Sequence, residues 1–277
     1  MTSLPHETEP ADGLFERIDQ RPAYQRVAEA IEREIVSGRL PPGSPIGTEA
    51  DLVRQFGVNR STVREGIRLL EQSGLIRRDS SRRLFASLPR YTKLASRISR
   101  ALVLHQVTFR ELWEATIAIE PASAELACAN ATAEVLDAIA ENLERSRRAL
   151  DNPKLLSELD TEYHALIGRA SGNRVIGLSR EPLGLLFQPT SQMLAEEVAT
   201  APARMLEAHT RVYEAIRAGD ASEAGAWMRR HVHDFRRGFE RLGKDLEQPV
   251  ERLYHDHVSA RHPAGSDGAD DGKDGER

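Results

Sequence analysis

The 277-residue chain holds one cysteine, Cys128, so no intrachain disulfide and no cysteine-based zinc finger can form. It also lacks a long apolar run. The longest stretch free of charged residues is Pro182 to Ala195, shorter than the roughly 20 residues a membrane helix needs. The N-terminus lacks the basic region and apolar core of a secretory signal, carrying Glu7, Glu9 and Asp12 instead. These absences lead to the expectation of a cytoplasmic protein with no membrane partner. Lysine is missing throughout residues 21–90, where all thirteen bases are arginine.

What is present is enough for packed cores: 40% of residues are hydrophobic. The length corresponds to roughly two domains. The net charge of −5 is unevenly spread. Residues 1–20 and 247–277 are each net −4, residues 91–246 are net −2, and residues 21–90 are net +5. Arginine's planar fork of donors suits phosphates and guanine edges, so the basic block points to nucleic acid. Charge alone leaves a solvated arginine-rich face as the alternative.

Four segments are expected. Residues 1–20 read as a disordered tail and 21–90 as a DNA-binding domain. Residues 91–246 read as an all-helical domain and 247–277 as an acidic, largely disordered tail. Within the second segment, Val27, Ile31 and Ile35 recur at four-residue spacing and predict a helix over 24–37. Thr48 is placed to cap a short helix ending at Phe56. Gly57-Val58-Asn59 is a tight turn, and Ser61 to Gln72 a third helix, with Gly74 past its end. The runs Leu75–Arg78 and Arg83–Ala86 predict a hairpin. This is a winged helix-turn-helix, three helices plus a β-hairpin. Its recognition helix would offer Arg60, Ser61, Thr62 and Arg64 to the major groove. Arg82 and Arg83 at the wing tip could reach the minor groove or the backbone.

Beyond residue 90 the pattern is helical, with segments near 91–104, 108–129, 132–150, 153–171, 182–199, 202–218 and 221–243. Pro121 is expected to kink the second of these. Asp160 and His164 are one turn apart on one helix. His209 and His231 flank the turn at Gly219-Asp220, each about 15 Å from it at 1.5 Å per residue. One carboxylate and three imidazoles converging in a bundle form a metal-site pattern, suited to Zn²⁺, Ni²⁺ or Mn²⁺. Taken singly, each histidine reads as an ordinary core or surface residue, and His6, His105, His233, His255, His257 and His262 keep that reading. Cys128, Trp113 and Trp227 read as packing residues.

The runs VAEAIEREIVSGRLPPGSPI and TEADLVRQFGVNRSTVREGIRLLEQSGLI resemble the GntR family of bacterial transcription regulators over about residues 24–86. Two departures stand out. Ala50 occupies a position where the family often has Arg, and the wing tip Ser80-Ser81-Arg82-Arg83 lacks the usual glycines. The runs DTEYHALIGRASGN and EAHTRVYEAIRAGDASEAGAWMRRH resemble the FCD effector domain of the FadR subfamily. That resemblance implies a divalent metal, Zn²⁺ first, on Asp160, His164, His209 and His231. It also implies a small-molecule effector, a double-stranded DNA operator and a homodimer.

In LWEATIAIEP, Thr116 stands where the family carries an effector-binding Arg, with Glu120 one turn later on the same face. Both are candidate effector-binding residues. The loss of that Arg predicts an effector less acidic than the family's usual carboxylates. The expected function is an effector-modulated transcription regulator, a repressor, and not an enzyme. Two alternatives stay open: a constitutive DNA binder with a structural metal, and a metal-dependent hydrolase, against which no HExxH motif appears.

Overall fold

The computed structural model describes residues 21–88 and 91–250. The tail expected over 1–20, and all but the first four residues of that expected over 247–277, lie outside the described residues. Among those described there are ten helices and three short strands. The chain divides into two compact units, Met1–Arg90 and Tyr91–Arg277.

In the first unit, α1 (Ala23–Val36) packs on α3 (Arg60–Ser73) through Val27, Ile31, Val63 and Ile67, all buried. The two helices approach closely because residue 66 is glycine. A Cβ there would lie 2.9 Å from the Tyr24 carbonyl oxygen. Gly66→Ala is therefore expected to destabilise this unit by about 1–3 kcal/mol, read as a lower denaturation midpoint. Thr48 begins α2 (Glu49–Phe56) with a reciprocal cap. Its hydroxyl accepts from the Asp51 amide, and its own amide donates to the Asp51 carboxylate at 2.8 Å. Gly57 ends α2 in the left-handed conformation, and the Asn59 side chain caps α3 by accepting from the Thr62 amide.

The expected hairpin is present as β2 (Ile76–Arg78) and β3 (Leu84–Ala86). The sequence reading placed no strand before α2. One exists, β1 (Pro45–Gly47), and it pairs antiparallel with β3, giving the order β1-β3-β2. Three residues opening on a proline are too short for a period-2 signal, and an edge strand tolerates the missing N–H.

The second unit is all helical apart from one isolated β-bridge, Thr108 to Pro249, among its described residues. Its helices are α4 (Tyr91–Leu104), α5 (Phe109–Asn130), α6 (Ala133–Arg148), α7 (Pro153–Ala170), α8 (Arg174–Glu197), α9 (Ala201–Ala218) and α10 (Ala221–Arg241). Residues Leu246 to Val250 fold back onto the start of α5 through backbone hydrogen bonds to Val107, Phe109 and Arg110. The main core gathers Ile139, Tyr163, Ile167, Val212, Met228 and Val232. A second cluster stacks Phe109 on Phe239, ring centroids 3.8 Å apart, with Phe187 edge-on at 5.7 Å.

α5 runs through Pro121 as one helix. α8 is the larger surprise. It begins at Arg174, capped by Asn173, eight residues before the expected start, and carries Pro182 and Pro189 in its interior. The Ser99 hydroxyl of α4 donates to the carbonyl of Pro182. No helix among the described residues is long and apolar enough to cross a membrane.

Candidate functional site

α7 presents Asp160 and His164 on its buried face. α9 brings His209, and α10 brings His231 across the Gly219-Asp220 turn. The four expected residues meet: one ligand atom from each lies within 4.8 Å of every other. His231 Nε2 is 3.2 Å from both His164 Nε2 and His209 Nε2. Asp160 Oδ1 is 3.7 Å from His164 Nε2 and 3.5 Å from His209 Nε2. Atoms sharing one ion at 2.0–2.1 Å bonds lie about 2.9–3.4 Å apart when adjacent, so the donor set has nearly the right spacing.

The chemistry of the donors agrees. All four side chains are buried, His209 completely. Asp160 Oδ1 has no hydrogen-bond partner. Three Nε2 atoms and one carboxylate oxygen converge, and one imidazole proton cannot serve both 3.2 Å contacts of His231. A divalent cation would satisfy all four. Burial, reinforced by the neighbouring imidazoles, pushes His209 well below its ordinary pKa. Burial and His164 push His231 down to about 4. Both are therefore held neutral at pH 7, the form that ligates metal.

Outer contacts fix these side chains. The Ser191 hydroxyl donates to Asp160 Oδ2 at 2.9 Å. The Tyr163 ring stacks on His209 at 3.8 Å, and its hydroxyl donates to the His209 carbonyl. His164 Nδ1 lies 2.9 Å from Glu120 Oε2, at an angle that misses a good hydrogen bond. Glu120 Oε1 accepts from Arg180 Nε at 3.0 Å. Burial alone would raise the Glu120 carboxyl, but His164 and Arg180 outweigh it and hold it down to about 2.

Two hollows share Asp160 and His231 as a common wall. One is mostly apolar, lined by Leu156, Leu194, Val198, Met205 and Phe235. The other encloses about 480 Å³ of atom-free space, its mouth included, and is lined by Trp113, Thr116, Glu120, His164, Arg180 and Phe235. Thr116 and Glu120 thus sit beside the ligand set, and the Thr116 hydroxyl is engaged with the Leu112 carbonyl. Sequence reasoning missed Arg180. It brings a guanidinium from α8 into the hollow where Thr116 offers none. The signal was local at best, an arginine in a run left between two expected helices.

In the first unit, Arg60 and Arg64 project from the first turns of α3, with side chains 76% and 67% exposed. Ser61 donates to the capping Asn59 side chain. Arg82, at the wing tip, has φ of +64°, a left-handed conformation unusual outside glycine. The Arg83 amide donates to the Asp79 carboxylate. A cleft between α3 and the wing is lined by Arg60, Arg64, Arg68, Arg78 and Arg82. Glu49 stands in it, 3.0 Å from Arg78, 3.5 Å from Arg60 and 4.0 Å from Arg64. Neither Glu49 nor Arg78 was singled out from sequence.

A winged helix with an arginine-lined cleft, joined to a helical unit with a buried ligand set beside a hollow, defines a DNA-binding regulator with its own sensor domain. The comparisons with known proteins agree. Residues 23–85 match the bacterial regulatory proteins, gntR family, and residues 111–234 match the FCD domain. The HTH-type transcriptional regulator LutR of Bacillus subtilis (strain 168) is 26% identical over 202 residues, covering 72% of this chain and 92% of that protein. The uncharacterized HTH-type transcriptional regulator Rv0494 of Mycobacterium tuberculosis (strain ATCC 25618 / H37Rv) is 32% identical over 168 residues, 60% of this chain and 68% of that protein. A solved structure, Streptococcus agalactiae GntR, has the same fold, with a TM-score of 0.58 at 22% identity over 77% of this chain and 99% of that one. The chain belongs to the GntR family and carries an FCD effector-binding domain. It is a DNA-binding transcription regulator, not an enzyme.

Proposed function

We propose that the chain is a homodimeric repressor whose operator affinity is set by a small organic acid bound beside a divalent ion. Asp160, His164, His209 and His231 would hold that ion, with Zn²⁺ favoured and Ni²⁺ or Mn²⁺ also suited. The observation that carries the reading is the shared wall: Asp160 and His231 belong both to the ligand set and to the hollow containing Thr116, Glu120 and Arg180. The ion would supply an electrophilic centre able to take an oxygen ligand.

Arg60 and Arg64 would reach base edges from the N-terminal end of the recognition helix. Ser61 and Thr62 would contact phosphates, and Arg82 and Arg83 would track the backbone or minor groove. Two copies would occupy half-sites about 34–36 Å apart, one helical turn. The effector acts by binding the free and operator-bound states with different affinities, and in no other way.

The test is fluorescence anisotropy on a duplex selected from a random library, with metal-loaded and chelated protein. An organic acid should weaken operator binding about tenfold or more in the loaded protein and leave the chelated protein unmoved. Operator affinity indifferent to every acid tried would leave a constitutive binder with a structural ion.

A further inference from the structure

We propose that Glu49 governs how strictly the first unit tells its operator from other DNA, by aiming Arg60 and Arg64 at base edges and opposing their use on phosphates. This rests on the reading above that these two arginines contact bases.

Glu49 is the first residue of α2, directly after the Thr48 cap. An acid in a first turn suits the partial positive charge of a helix N-terminus and ordinarily faces water. Glu49 does not. Its side chain is 16% exposed and lines the arginine cleft, where three guanidinium groups stand within 4.0 Å of it. Two of them come from α3 and one from β2.

The three contacts are not equivalent. Arg78 Nη2 lies 3.0 Å from Glu49 Oε1, and Arg78 Nε donates to Glu71 Oε1 at 2.6 Å. Arg78 thus braces Glu49 against the far end of α3. Arg60 and Arg64 share the other oxygen, Oε2, at 3.5 and 4.0 Å. In each the nearest nitrogen is Nε, beside the aliphatic stem, and both side chains stay well exposed. Their terminal nitrogens, Nη1 and Nη2, are left for another acceptor.

A guanidinium tethered near its stem and open at its fork suits the paired acceptors O6 and N7 of guanine. Bound there, the arginine keeps Nε beside Glu49. A phosphate is different, because it is an anion, and reaching either fork brings it towards the Glu49 carboxylate. Like charges repel. Ala50, which also lines the cleft, adds no cation to offset that repulsion. Glu49 therefore weakens phosphate contacts, which every sequence offers, more than guanine contacts, which the operator alone offers in register.

The test is fluorescence anisotropy of the full chain at one fixed salt concentration, on the selected operator duplex and on a random duplex of the same length. Glu49→Gln keeps the size of the side chain and removes its charge. It should bind the random duplex about 3- to 10-fold more tightly than wild type, and the operator-to-random ratio should fall by about 10- to 100-fold. Glu49→Asp, which keeps the charge, should bind the random duplex as wild type does. A gain there as large as that of Glu49→Gln would count against the charge. Random-duplex affinity unchanged in Glu49→Gln, or an undiminished ratio, would overturn the proposal. A lowered melting midpoint with equal losses on both duplexes would mark a structural role and overturn it too. So would a loss confined to one base pair of the operator, which would make Glu49 a reader of that pair. Arg60→Ala with Arg64→Ala, run alongside, separates the two readings. If that double variant keeps wild-type discrimination, base reading from α3 fails and the proposal with it. If it loses discrimination while Glu49→Gln keeps it, the proposal alone falls.

Discussion

Chelation of the divalent ion is expected to lower the melting temperature of the helical unit by about 8–16 °C. An ion at a free concentration about 1,000 times its Kd adds about 4.1 kcal/mol to stability. For a domain of this size each kcal/mol moves the midpoint by about 2–4 °C. His209→Ala should give a similar loss and abolish the response to chelator, because His209 is fully buried and also supports Tyr163. Calorimetry with and without chelator, alongside metal content of the purified protein, checks both. An unchanged midpoint in protein that carries no metal would reduce the cluster to an unusual polar core.

The same site gives opposite pH trends for the two forms. In ion-free protein the pKa of His164 is raised: burial alone would lower it, but Glu120 outweighs that. A raised pKa contributes stability below the unfolded value near 6.5, and this is lost as pH rises through the folded value. His209 and His231 are depressed, so their contribution is lost as pH falls below 6.5. The ion-free form should therefore be most stable near pH 6.5. The ion-loaded form should instead gain as pH rises above that point, because a proton on His164 competes with the ion. Thermal melts across pH 5.5–8.5, with and without chelator, resolve the crossing trends.

Replacing Arg60 and Arg64 together with Ala should weaken operator binding by about 2–6 kcal/mol, or about 30-fold to more than 10⁴-fold. Each bidentate contact to a guanine contributes about 1–3 kcal/mol of discrimination. Both side chains are well exposed, so the fold should be untouched and the melting midpoint unchanged. Loss of discrimination between operator and random duplex would mark base readout. A uniform loss across sequences would mark phosphate contacts instead. Operator binding at wild-type strength would move recognition away from the N-terminal end of α3.

Much of the fold was legible because its signals are local. The spacing of Val27, Ile31 and Ile35, the cap at Thr48 and the turn at Gly57 each declare themselves within a few residues. The convergence of four side chains was legible for a related reason: Asp160 and His164 follow helical spacing, and His209 and His231 are about equidistant from one turn. The misses have a common cause. The expected helix opens at Pro182, whereas α8 begins at Arg174, capped by Asn173, and runs on through Pro182 and Pro189. With the first turns of α8 unassigned, Arg180 had no face to point from. Its contacts with Glu120 and with the bare backbone of Gly168 come from other helices and exist only in the packed fold. β1 was too short to show a period.

Glu49 behaves as a built-in counterion. Arg78 is engaged by Glu49 at 3.0 Å and Glu71 at 2.6 Å before any DNA arrives. Ion release on DNA binding normally steepens the fall of log affinity with log salt by about 0.9 per phosphate neutralised. An arginine that exchanges a carboxylate of its own protein for a phosphate still frees the cations condensed on that phosphate, but it sheds no dissolved anion, and the carboxylate it leaves behind gathers cations of its own. The five arginines of the cleft should thus produce a shallower dependence on ionic strength than their number suggests, and operator occupancy would be correspondingly less sensitive to swings in the salt around it.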